Sequence, residues 1–120
     1  MNDYQRGLLG KMDEYAHFVY KITKGFPKSE LYGVVSQIRR ASVSVVLNYV
    51  EGYARKRPLV RLNFLEISFG SLKESKYLLY FSSVEEYLKK DDYIFGLRKA
   101  EELCAMLWTE INNLEKATKK

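Results

Sequence analysis

The chain has one cysteine, one histidine and two prolines in 120 residues. A lone cysteine rules out an internal disulfide and fits a reducing compartment. One histidine is too few for the paired Glu-x-x-His ligands of a di-metal bundle, so Glu14 and His17 stand alone in that spacing. No stretch approaches the roughly 18 apolar residues a membrane span needs. The opening MNDYQRGLLGKMDEY lacks an apolar run of signal-peptide length, so the expected address is cytoplasmic. There is no alternating strand pattern, no phosphate-cradling glycine loop, and no internal repeat or low-complexity linker. Cys104 falls on an apolar seam with no nearby base to activate it, and reads as a small buried hydrophobe. The expectation is a protein that is not an enzyme and carries no cofactor or metal.

What is present is helical periodicity. From Ser29 to Arg57, Leu31, Val35, Ile38, Ser42, Val45, Tyr49 and Gly52 alternate at spacings of four and three. That is one stripe of a long amphipathic helix. The other faces are also apolar, with Val43, Val46, Leu47 and Val50. Each such side chain gains roughly 1.5–3 kcal/mol on burial, against a net stability of about 5–15 kcal/mol. The surplus predicts self-association, with Val43, Val46, Leu47, Val50 and Phe64 as candidate interface residues.

The first helix is expected from about Tyr4 to Lys24, on the seam Leu8, Met12, Tyr15, Val19, Ile22 and Phe26. Gly25 is placed at its left-handed C-terminal cap, Pro27 just beyond, and Ser29 at the N-cap of the second helix. Pro58 opens a third helix bearing Leu62, Leu65, Phe69, Leu72 and Leu79. Gly70 in its middle costs about 1 kcal/mol relative to Ala, which close packing of a facing helix would explain. The third helix fades between Ser82 and Leu88. Asp91 is the expected N-cap of a fourth, with Leu97, Ala100, Cys104, Leu107, Ile111 and Leu114 on its seam. The fold class is all-α, an up-down-up-down antiparallel four-helix bundle, a single domain over residues 1–120.

Antiparallel pairing about the short Lys56-Arg57 link sets Ser42 level with Ser71, Val43 with Gly70, Arg39 or Arg40 with Glu74, and Glu51 with Arg61 or Leu62. Arg39, Arg40, Asn48, Glu51 and Glu74 are therefore read as structural polar residues that fix register, Asn48 within the bundle or between subunits. The net charge of +5 and pI near 9.2 permit binding to nucleic acid without requiring it. The candidate surface is the turn holding Arg55, Lys56, Arg57 and Arg61, because a helix-joining loop exposes its charges. Arg39-Arg40 and the tail Lys116–Lys120 come second.

The stretches Phe26-Pro27-Lys28-Ser29-Glu30-Leu31-Tyr32-Gly33 and Ser36-Gln37-Ile38-Arg39-Arg40-Ala41-Ser42-Val43-Ser44-Val45 carry a joint pattern. It continues through Asn48, Glu51-Gly52 and Arg55, then Phe64-Leu65-Glu66-Ile67 and Gly70-Ser71-Leu72 with Glu74. In this the chain resembles the bacterial four-helix-bundle proteins encoded in 23S rRNA intervening sequences, the S23 family. Tyr49-Val50, Ser68 and Arg57-Pro58 depart from the usual residues. The resemblance implies a homo-oligomer, expected as a pentamer, and no catalytic activity. Similar bundles, the accessory variability determinants of diversity-generating retroelements, look like basic barrels that engage nucleic acid and a reverse transcriptase. The resulting expectation is an oligomeric bundle that binds RNA or other nucleic acid through basic surfaces. The alternative is a protein-interaction scaffold with no nucleic-acid role.

Overall fold

A computed structural model describes residues 1–119. It holds four long α-helices and, among the described residues, no strand: α1 Asp3–Thr23, α2 Val34–Ala54, α3 Pro58–Val84 and α4 Lys90–Thr118. α1 packs on α2 and α4, and α3 packs on α2 and α4, so α1–α3 and α2–α4 are the diagonals of an antiparallel four-helix bundle. The bundle is slender, 50 × 24 × 20 Å.

The helices start and stop for identifiable reasons, several of them not the expected ones. Asn2 caps α1 in a capping box: its Oδ1 accepts from Gln5 N–H at 2.8 Å, and Gln5 Oε1 accepts from Asn2 N–H at 2.9 Å. At the other end Gly25 is not a left-handed cap, since no described glycine has positive φ. The chain instead unwinds in tight turns, and Phe26 is buried, its ring 5.8 Å from Tyr87. Ser29 does not cap α2. It lies in a short 3-10 turn, Lys28–Glu30, and Gly33 (φ −108°, ψ −113°) separates that turn from α2. Leu31 and Tyr32 fall in this linker and are exposed. Pro58 opens α3 as expected. α3 closes in a Schellman motif, with Tyr87 N–H donating to Ser82 O at 2.9 Å and Glu86 N–H to Ser83 O at 3.1 Å. Glu86 takes the left-handed position at φ 61°, where glycine is the usual residue. α4 begins one residue before Asp91, which with Asp92 stands in the first turn against the helix dipole rather than at the cap.

The inner seam of α3 alternates leucine and serine: Leu65, Ser68, Leu72, Ser75, Leu79 and Ser82 are all completely buried. The small serines let neighbouring helices approach, and each hydroxyl has a partner. Ser68 donates to Val45 O at 2.7 Å, across to α2. Ser75 meets Tyr15 Oη at 2.8 Å, across the diagonal to α1. Ser82 donates to Leu78 O at 2.7 Å. Tyr49 spans the other diagonal and donates to Glu110 of α4 at 2.9 Å. Each diagonal is thus bridged by one fully buried tyrosine. Gly70 is not closely packed: a methyl group there would meet nothing within 4 Å. The tight glycine is Gly52, where a Cβ would lie 3.3 Å from Arg61 O and Phe64 Cβ.

Candidate nucleic-acid interface

The α2–α3 turn is short because Pro58 restarts a helix after only three linking residues, Arg55 to Arg57. Its four basic residues do different things. Arg61 Nε donates to Gly52 O at 3.2 Å and Nη2 to Arg55 O at 2.8 Å, satisfying carbonyls at the end of α2. Its guanidinium also lies 4.9 Å over the Tyr53 ring. Arg55 is ion-paired with Glu51 and lies 5.2 Å over Phe64. These two arginines build the turn. Lys56 and Arg57 are exposed and make no ion pair among the described residues. Glu51 therefore pairs with Arg55 one turn along its own helix, not with Arg61.

The fold adds charges to this end that the sequence keeps far apart. A cleft of about 380 Å³ is lined by Tyr53 and Arg61 together with Asn2, Tyr4, Glu110 and Asn113. α4 lines this cleft with Glu110, Asn113 and Leu114, and Lys116 and Lys119 follow within the next two turns towards its C-terminal end. Lys119 pairs with Glu115 at 3.3 Å, and Lys116 is exposed and unpaired among the described residues. Lys120 lies outside the described residues. Lys56, Arg57 and Lys116 are thus side-chain cations at this end that make no ion pair among the described residues.

Glu110, which the sequence reading passed over, sits behind them. It is only 7% exposed. Its Oε1 accepts from Tyr49 at 2.9 Å and from Tyr53 at 2.7 Å, while Oε2 has no protein partner among the described residues. Burial and the adjacent carboxylate push both tyrosine pKa values well above the usual phenol range. Glu110 on the α4 seam carries no motif; only three-dimensional pairing exposes its role.

The expected Arg39 or Arg40 pairing with Glu74 is not formed. The axial register is close to that expected, since Ser68 meets Val45 and Gly52 meets Arg61. Helix rotation is what differs. Arg39 lies on the α1 flank of α2, donating to Thr23 Oγ1 at 2.8 Å and covering the Tyr20 ring at 4.7 Å. Arg40 and Glu74 are both exposed, with no ion pair among the described residues. Ser71 meets Ser44 at 2.8 Å rather than Ser42, which bonds back to Arg39 O. Asn48 donates to Ser44 Oγ and O, both at 2.9 Å, so it buttresses the Ser44–Ser71 contact.

The candidate interface residues divide too. Leu47 is 62% exposed and Val50 is also exposed. Val43 and Val46 are half-buried and line a groove between α1 and α2 with Ala16 and Tyr20. Phe64 is half-buried beneath Arg55. His17 is exposed beside Asp13, and no cluster of metal-ligating side chains forms among the described residues. Cys104 is half-buried, and burial raises its thiol pKa.

The 23S rRNA-intervening sequence protein family matches residues 8–109, most of the chain and all four helices. The chain belongs to that family. Its fold is that of a solved protein of unknown function from the S23 ribosomal protein family of Bacteroides thetaiotaomicron, at TM-score 0.84 and 20% identity. That likeness covers 91% of this chain and 98% of the other. No curated protein matches the chain. As a member of the 23S rRNA-intervening sequence family, the chain has the helical framework seen in that solved structure. Among the described residues no helix is long and apolar enough to cross a membrane.

Proposed function

We propose that this protein is a non-enzymatic, cytoplasmic helical bundle that self-associates and binds RNA through the basic end of the bundle, without sequence preference. The observation that supports this is the gathering of Lys56, Arg57 and Lys116, exposed and without carboxylate partners among the described residues. Phosphates attract such charges whatever the base sequence. Self-association strengthens the effect. A cyclic ring, expected as a pentamer from the family likeness, would present the same end of every subunit on one face. The field there exceeds that of one subunit. The test is a salt-dependent titration with structured RNA, comparing wild type with Lys56→Gln/Arg57→Gln/Lys116→Gln. Affinity should fall for all sequences alike. The log–log salt slope should flatten by up to about 0.7–0.9 per lost phosphate contact. An unchanged slope in a folded triple variant rejects this end as the RNA surface.

A second reading, a protein-interaction scaffold, is favoured by one observation: Leu47 and Val50 on α2, with Leu59, Val60 and Ile67 on α3, are exposed. A second copy of the chain is the first candidate to cover them. A monodisperse monomer at micromolar concentration would refute self-association. Leu47→Glu should lower the assembly state and leave the bundle folded, because the side chain is already mostly in water.

A further inference from the structure

We propose that the outer groove between α3 and α4 is a stacking track for unpaired nucleotides of single-stranded RNA; this rests on the RNA reading above and assigns it a second, chemically different surface. Three large aromatic side chains on this side are more than half exposed: Trp108 at 52%, Tyr80 at 53% and Tyr77 at 59%. They are organised in two stations. Trp108 of α4 stacks at a tilt on Phe69 of α3, with ring centroids 5.4 Å apart. Further along α3, Tyr77 and Tyr80 have centroids 6.3 Å apart. They share a shallow surface with Lys73, Lys76, Tyr93 and Leu97. Eight residues separate Phe69 from Tyr77, about 12 Å along a helix. A stacked strand rises about 3.4 Å per nucleotide, so one strand of about four nucleotides reaches from one station to the other.

The charges between the stations suit a polyanion. Lys73 lies 5.8 Å over the Phe69 ring, and neither Lys73 nor Lys76 makes an ion pair among the described residues. Glu101 of α4 is a carboxylate in the same neighbourhood, since it and both lysines act on the Cys104 thiol. Aromatic faces with flanking cations are what sequence-tolerant single-strand binding uses. A duplex offers no open base faces to such rings, so unpaired strands are the fitting ligand. A second copy of this chain fits the groove less well. The aliphatic surplus that self-association would bury lies elsewhere, at Leu47, Val50 and Ile67, whereas these rings carry polar hydroxyl and indole N–H groups.

Trp108 is the chain's only tryptophan, so its emission reports the groove directly. The probes are a twelve-nucleotide oligo(A) strand and a blunt RNA duplex of equal phosphate number, at low salt. Oligo(A) should quench Trp108 emission in step with binding, and the duplex should bind with little quenching. Tyr77→Ala/Tyr80→Ala should weaken oligo(A) binding at least tenfold. It should leave duplex affinity unchanged, and Tyr77→Phe/Tyr80→Phe should retain both. Oligo(A) binding without quenching, unaffected by the alanine pair, overturns the track and leaves the basic end as the RNA surface. Absence of binding to both probes overturns both proposals. A change in Trp108 emission with protein concentration alone, insensitive to RNA, places a second copy in the groove and overturns the track.

Discussion

Glu110→Ala is expected to be among the costliest single substitutions at the basic end. The carboxylate is nearly sealed from water and accepts two phenol hydroxyls on one oxygen. A hydrogen bond to a charged group contributes about 1.5–3 kcal/mol, and a stranded buried donor costs about 1–3 kcal/mol. Removing Glu110 strands the hydroxyl of Tyr49, which is completely buried. The Tyr53 hydroxyl is half-buried and regains water. Against these losses stands one gain, since the unpartnered Oε2 disappears. The net expectation is a loss of about 2–4 kcal/mol. Glu110→Gln keeps an acceptor for both hydroxyls and removes a buried charge, so it should cost about 1 kcal/mol or less. Urea denaturation measures both. With a slope of roughly 2 kcal/mol per molar urea, the alanine variant should melt about 1–2 M earlier at unchanged slope. A Tyr49→Phe/Glu110→Ala double-mutant cycle, in which each single change removes the bond, should show coupling of at least about 0.5 kcal/mol. Equal losses for alanine and glutamine would refute the reasoning, because the acceptor geometry would then be irrelevant.

Gly70→Ala should raise stability by about 1 kcal/mol, because the site is mid-helix with open space around it; loss of assembly at unchanged monomer stability would instead place Gly70 in a subunit contact. Glu86→Gly should stabilise by roughly 1 kcal/mol through relief of the left-handed backbone, read as a rise in thermal midpoint, and a fall would contradict the motif. Burial pushes the Tyr15 pKa up to about 12. The protonated phenol is favoured in the folded state, so its contribution is full below pH 10 and is lost between pH 10 and about 12; Tyr15→Phe should flatten the stability curve over that window, and identical alkaline melting would count against it. Arg39→Ala should destabilise more than Glu74→Ala, since Arg39 ties α1 to α2 while Glu74 makes no ion pair among the described residues.

The helices were legible because apolar spacing is a local signal. The seam of α1 and the opening of α3 at Pro58 follow directly from it. Helix ends were less legible. Asn2 caps through reciprocal bonds with Gln5, and Glu86 occupies a position whose usual residue is glycine, so neither announces itself by composition. Axial register was close to correct, because a three-residue link leaves little slack. Rotation about the helix axis was not, which sent Arg39 to α1 instead of Glu74. A difference of one flank is invisible when both flanks carry polar groups. The Glu110–Tyr49–Tyr53 cluster joins residues about 60 positions apart, and no spacing rule reaches that far.

The leucine–serine alternation on α3 has a consequence for how the chain finds one alignment. The pattern repeats every seven residues, with Leu65, Leu72 and Leu79 interleaved by Ser68, Ser75 and Ser82. Sliding α3 by one repeat, about 10.5 Å, would again set leucine where leucine was and serine where serine was. Tyr15 would still find a hydroxyl. The inner seam is therefore a ruler with identical marks, and it cannot tell one position from the next. What reads absolute position are the three-residue link, which holds α3 against α2, and the contacts that occur once: Gly52 beneath Arg61, Ser44 against Ser71, and Glu110 beneath two tyrosines. Two of these lie at the α2–α3 turn end. Weakening them should do more than lower stability. It should let α1 and α4 sample shifted docking positions on the α2–α3 hairpin, at native helix content and with the wrong neighbours.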